Sequence, residues 1–192
     1  IDLGVHYCWF HVYRPMGGDP TPELALTDEQ GLALRKFVVR MRSRKAIGIV
    51  DAYYDDQGQA LCPAATGISH HINPWGEVEP CPIVQFTRET IYDDKSLYKV
   101  LTESKYLDDF RKTAAEATRG CVMLERPDLV KELVIRHGAR DSTHRDAGSG
   151  INELENMQSL PSQYNPGNEV PEEQWLYRFA KKHWFFGFGA YT

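Results

Sequence analysis

A strand, a helix and a second strand follow one another at the front of the chain, and this succession constrains the fold more than anything after it. Residues 3 to 13 (LGVHYCWFHVY) are apolar or aromatic at most positions, the continuous pattern of a strand covered on both faces. After the loop Arg14-Pro15-Met16-Gly17-Gly18-Asp19-Pro20, Thr27 and Gln30 are spaced as a capping box, which starts a helix. Leu34, Phe37, Val38 and Met41 recur at helical spacing and form the face expected to be buried, with Arg35, Arg40, Arg42 and Arg44 mostly on the other side. Residues 47 to 54 (IGIVDAYY) resume an extended pattern, closed by the turn Asp55-Asp56-Gln57-Gly58. Such a βαβ unit has parallel strands and a right-handed crossover, and the fold class expected from it is α/β.

Beyond Gly58 the pattern shortens. Ile68, His70 and Ile72 alternate with Ser69, His71 and Asn73, the run Asn73-Pro74-Trp75-Gly76 supplies turn chemistry, and Glu77-Val78-Glu79 is extended again, which predicts a hairpin. One helix is expected to start at Asp93 or Asp94, to carry Leu97, Val100, Leu101, Leu107, Phe110 and Ala114 along one face, and to end near Gly120. Another runs from Pro127 to Gly138, following the preference for proline at the start and glycine at the end. Residues 139 to 170 read as an irregular connection. A last helix is expected from Pro171, with Glu172 and Glu173 in its first turn and Lys181, Lys182 and His183 near its end, the charge order that the helix dipole favours.

Net charge and cysteine usage narrow the function classes. At −5 over 192 residues the chain lacks the clustered Lys and Arg of a nucleic-acid surface. It has no apolar run approaching the roughly 20 residues of a membrane span. A small-molecule or peptide substrate fits better. Four cysteines, Cys8, Cys62, Cys81 and Cys121, without a secretion signal favour metal binding or burial over a disulfide framework, so a reducing cytoplasm is expected. Ile1 opens directly on a strand pattern, and an upstream part is expected to be missing.

The informative stretch is Cys62-Pro63, then Asn73-Pro74-Trp75-Gly76-Glu77-Val78-Glu79-Pro80-Cys81-Pro82. Thirteen residues separate Cys62 from Gly76 and four separate Gly76 from Cys81. A hairpin turning at Asn73 to Gly76 folds the chain back, so that a thiolate before its first strand and one after its second reach the same ion or cluster. Cys121, at a helix boundary, is placed to supply a third. The fourth position falls to a nearby His, Asp or Glu, to water, or to a substrate atom.

This run, Ile72-Asn73-Pro74-Trp75-Gly76-Glu77-Val78-Glu79-Pro80-Cys81, resembles the opening of the SPASM and twitch auxiliary-cluster domains that follow the barrel of many radical S-adenosylmethionine (SAM) enzymes. The segment from Ser104 to Arg111 and the later Gly120-Cys121 are similar to what those domains place next, and Pro15-Met16-Gly17 is similar to a loop late in such barrels. The resemblance covers residues 60 to 125 closely and 1 to 58 more loosely. It implies a partial (β/α) barrel over 1–58, an α+β auxiliary cluster domain over 59–126 and a helical C-terminal extension over 127–192. It also implies one auxiliary 4Fe–4S cluster on Cys62, Cys81 and Cys121. S-adenosyl-L-methionine and a second 4Fe–4S cluster are expected on the missing N-terminal barrel half, and an electron donor is implied as a partner. The sequence departs from the family in two ways: no cysteine follows Cys121, and the CxxxCxxC motif of the SAM-cleaving cluster is absent. The chain as given is therefore expected not to generate a radical.

The remaining candidates carry milder readings. Cys8, inside a strand pattern, reads as an unreactive buried thiol, and one of His70 and His71 as packed or hydrogen-bonded. Asp51, Tyr53 and Tyr54 close the second strand, where a substrate can sit, but a hydrogen-bonded strand end is the plainer reading. His6, His11 and Arg14 lie on the first strand and its C-terminal end, and Arg14 suits a carboxylate or phosphate. The aromatic tail from Trp175 to Tyr191 reads as a docking helix. Two rivals to the resemblance are a structural zinc module, disfavoured by the lack of CxxC or HxxxH knuckles, and a non-catalytic partner subunit.

Overall fold

The capping box forms as the sequence requires: the Gln30 N–H donates to Thr27 Oγ1 (3.3 Å) and the Thr27 N–H to Gln30 Oε1 (3.0 Å), opening helix α1 (Asp28–Arg44). The computed structural model describes residues 2–16, 19–51, 54–67, 69–146, 148–160, 162 and 166–185. Within it α1 joins β1 (Tyr7–Trp9) to β2 (Gly48–Val50), and these strands pair in parallel, with Cys8 opposite Ile49. Among the described residues every sheet has two or three strands and none closes into a barrel. The expected two-sided cover of residues 3–13 is not found. Leu3, Val5, Tyr7 and Trp9 are exposed, because β1 has a single described neighbour, β2.

By its contacts the chain divides into two units, one made of Ile1–Leu61 with Pro161–Phe188, the other built on Cys62–Leu160. The segment expected as one C-terminal extension thus contributes to both.

In the first unit the arginines of α1 are not all on the solvent side. Arg35 and Arg42 are buried together with Val38 and Val39, whereas Phe37 is exposed. The reason is pairing: Arg35 meets Asp51 (2.5 Å) and Glu172 (2.8 Å), and Arg42 meets the same two carboxylates. Glu172 is therefore an interior counter-ion rather than a first-turn charge on a helix. The last helix, α7, starts later than expected, at Trp175–Ala180, and a π turn, Lys181–Phe185, continues it. Lys181 is buried as well, its Nζ donating to Asp51 (2.9 Å) and to the Tyr54 carbonyl (2.7 Å).

In the second unit β3 (His71–Ile72) and β4 (Glu77–Glu79) make the expected hairpin. Its turn is closed by Gly76 N–H to the Asn73 carbonyl at 2.9 Å. β5 (Phe86–Thr87) and β6 (Glu89–Thr90) follow, and β6 adds to the free edge of β4. The single helix expected from Asp93 to Gly120 is two, α2 (Leu97–Glu103) and α3 (Lys105–Ala117). Ser96 and Ser104 cap them through their hydroxyls, while Asp93 instead holds the Thr90 turn. Tyr106, Leu107, Phe110 and Ala114 of α3 are buried and face the core with Val130, Leu133 and Val134 of α5 (Pro127–His137), after the short α4 (Val122–Glu125). Gly138 ends α5 in the left-handed conformation, as expected. Residues 139–170 are more regular than their composition suggests. They contain β7 (Arg140–Asp141), paired with β5, and α6 (Ser149–Asn156). Asp141 orders both by accepting the N–H groups of Thr143 and Gly150.

Candidate metal centre

All four cysteines are thiols, and three of them belong to the second unit. Cys62 opens a turn in which the Thr66 N–H reaches the Cys62 carbonyl (3.3 Å) and the Thr66 hydroxyl the Pro63 carbonyl (2.7 Å). Cys81 leaves β4 through Pro80 and starts a second Cys-Pro turn, closed by Val84 N–H to its carbonyl at 3.2 Å. Cys121 caps α4, where its own N–H donates to the buried Glu125 carboxylate at 3.2 Å.

Burial first, and then the neighbouring Cys62 and Cys121, push the Cys81 thiol up to about 12, while the Ile83 and Val84 N–H groups, which donate to its sulfur, pull the other way. A thiol in that state is protonated at neutral pH, and only a cation placed among the three sulfurs makes thiolates favourable there. Among the described residues, however, no three His, Cys, Asp or Glu side chains are grouped as around a single metal ion. Thiolates on one tetrahedral zinc stand about 3.8 Å apart, given a Zn–S bond of about 2.3 Å.

The hairpin before Cys81 carries a buried polar network that the sequence does not announce. The Tyr106 hydroxyl is buried without a partner among the described residues. Burial, then Cys81, Glu79 and Glu89, raise its pKa far above the ordinary phenol value. Glu79 is almost fully buried and accepts from Ser142 Oγ (2.6 Å), Asn73 Nδ2 (3.2 Å) and His71 Nδ1 (2.6 Å). Glu77 receives Asn73 Nδ2 (2.7 Å) and His144 Nε2 (2.7 Å). Burial alone would push the Glu77 carboxyl up, but these hydrogen bonds prevail and it titrates below its usual range. Asn73 is the hub: its amide bridges both glutamates, and its Oδ1 accepts the Trp75 and Glu77 N–H groups that shape the turn. The Glu-Val-Glu text is no signal for this network, since the alternation of a strand ordinarily sends both acids to the face opposite the buried valine.

The other candidates fall as follows. His71 commits Nδ1 to Glu79, and His70 is half-buried with its pKa lowered, by burial first and then by Arg111. Cys8 is half-buried in β1, away from the expected core. Asp51 is a buried, fully paired strand end. His6 and His11 are exposed and Arg14 is half-buried. Gly17, Tyr53, Ile68 and the tail beyond Phe185 lie outside the described residues. No described helix is long and apolar enough to cross a membrane. No protein-family model, no curated protein and no solved structure matches the chain.

Proposed function

We propose that the second unit is the auxiliary-cluster module of a radical SAM enzyme and that Cys62, Cys81 and Cys121 hold its 4Fe–4S cluster. The observation that carries this reading is that Cys62 and Cys121 both stand near enough to Cys81 to act on its thiol, at the positions matched by the family's glycine-and-cysteine text. Among the described residues no three His, Cys, Asp or Glu side chains are grouped to hold a metal ion, so on this reading the three thiols close on the cluster as it binds. The Tyr106 O–H beside Cys81, without a partner among the described residues, suits a cluster, since its sulfurs accept hydrogen bonds and the donors around them tune the potential.

An iron–sulfur cluster, when bound, supplies one-electron transfer, and with three protein ligands it leaves one iron for substrate. The chain's own residues prepare the place. The Ile83 and Val84 amides orient the Cys81 sulfur, the Asn73 hub sets the hairpin that separates Cys62 from Cys81, and His71 is tied to Glu79. Binding releases the thiol protons, so loading weakens as the pH falls. The SAM-cleaving cluster, SAM itself and the first half of the barrel belong on this reading to a part not in this chain. The electron donor and a small-molecule or peptide substrate are its partners, in a reducing cytoplasm. As a test, the chain is purified without oxygen and reconstituted with iron and sulfide. A broad absorption band near about 400 nm, weakened by Cys81→Ala, supports the reading. A colourless protein with one bound zinc overturns it in favour of a structural zinc module.

A further inference from the structure

Helix α1 carries a glycine near its start where most residues would be more stable. A glycine inside a helix costs about 1 kcal/mol relative to alanine, yet a Cβ built on Gly31 would meet nothing within 4 Å. The space beside it is a small open cavity lined by Val12, Leu26, Gly31, Arg35 and Tyr54 among others. The same five residues line a smaller neighbouring cavity. Val12 follows β1 and Tyr54 follows β2, so the cavity lies past the C-terminal ends of two parallel strands and beside the first turns of α1. That is where open α/β sheets place their ligands.

Arg35 stands one helical turn after Gly31 on the same face and is 3% exposed. Its Nη1 donates to Asp51, and its Nη2 donates to Glu172 and the Val170 carbonyl, but its Nε–H has no partner among the described residues. A buried donor left unmade costs about 1–3 kcal/mol, and native structures rarely leave one without a water or ligand. Among the described residues Arg35, Arg42 and Lys181 gather around two carboxylates, Asp51 and Glu172, and burial lowers the Lys181 pKa, so the group is closely paired apart from this donor.

We propose that this cavity binds a small carboxylate-bearing molecule, its carboxylate received by Arg35 and its apolar part by Val12 and Leu26, in the space that Gly31 keeps open. Asp28 and Glu169 also line the cavity, so a cationic group on the same molecule, as in a free amino acid, finds acidic partners there. The site belongs entirely to the first unit and does not depend on the cluster reading.

The test is an NMR titration of the chain with leucine, isocaproate and isoamylamine, which separate carboxylate from amine on similar carbon skeletons. Leucine and isocaproate are expected to shift the Val12, Leu26 and Gly31 amides saturably in the millimolar range, and isoamylamine to leave them in place. Gly31→Leu fills the space and gains helix propensity. It is expected to melt at or above the wild-type temperature and to bind both carboxylates at least about tenfold more weakly. Leu26→Trp, at a partly exposed position, fills the same space should Gly31→Leu fail to fold. Silence with both carboxylates, equal response to the amine, or undiminished binding by the folded filled variants overturns the proposal.

Discussion

Tyr106 is the residue whose surroundings say most about the proposed centre. Its hydroxyl sits in the core with no acceptor among the described residues, an arrangement that destabilises a metal-free chain and becomes useful once a sulfur acceptor is present. Tyr106→Phe is accordingly expected to raise the metal-free chain's stability by about 1 kcal/mol in urea melts. In the reconstituted protein it is expected to lower the cluster's reduction potential, read by redox titration, because a donor to it is lost. Gly76 is constrained in the opposite sense. Its φ is +77°, and a Cβ there would come within 2.5 Å of the Tyr92 ring. Gly76→Ala is expected to cost about 2 kcal/mol or more, from the left-handed backbone plus the clash, measured as a lower melting temperature. The demand at Gly76 was legible, since Asn-Pro-Trp-Gly announces a turn needing glycine. Tyr106 was not, because nothing in a helical stripe of Tyr, Leu and Phe distinguishes a core hydroxyl from a core ring.

At the level of elements, caps were readable and pairing was not. Thr27 with Gln30, and Pro127 with Gly138, act locally and mark α1 and α5 where the sequence places them. Nothing local marks Arg35 and Arg42 as interior, because Glu172, one of their two counter-ions, lies more than a hundred residues away. The break between α2 and α3 was missed for a similar reason: Ser104 caps α3 while also donating to Glu89 at 2.9 Å, a contact no local pattern shows. The ion group that holds residues 171–181 to α1 has a measurable consequence. Glu172→Ala leaves three buried cations facing Asp51 alone and is expected to cost about 3 kcal/mol or more, seen in chemical denaturation. Burial pushes the Asp51 and Glu172 carboxyls up, but Lys181 and the two arginines outweigh it, and both titrate below their ordinary values. A carboxyl whose folded pKa is depressed contributes stability above its unfolded pKa, and that contribution is lost as the pH falls through the folded one. The denaturation midpoint is therefore expected to fall as the pH drops below the ordinary carboxylate range, and to fall less steeply in Glu172→Gln.

On the scale of the whole molecule the chain carries two chemistries in two units: an interior of paired charges beside a cavity in one, and three cysteines with a group of buried glutamates in the other. The βαβ succession is visible in the hydrophobic pattern, whereas the cysteine text supports the proposed centre by resemblance alone. The division of the last 66 residues, 127–192, between the units was not visible, since it depends on which distant surfaces accept α5 and Glu172. The central claim is that three specific thiols hold an iron–sulfur cluster. It is tested most directly by counting iron and acid-labile sulfide per chain after anaerobic reconstitution, in the wild type and in single alanine variants of all four cysteines. The account predicts about four of each in the wild type and in Cys8→Ala, with a marked loss in Cys62→Ala, Cys81→Ala and Cys121→Ala. Iron without sulfide, one zinc per chain, or an equal loss in Cys8→Ala would contradict it.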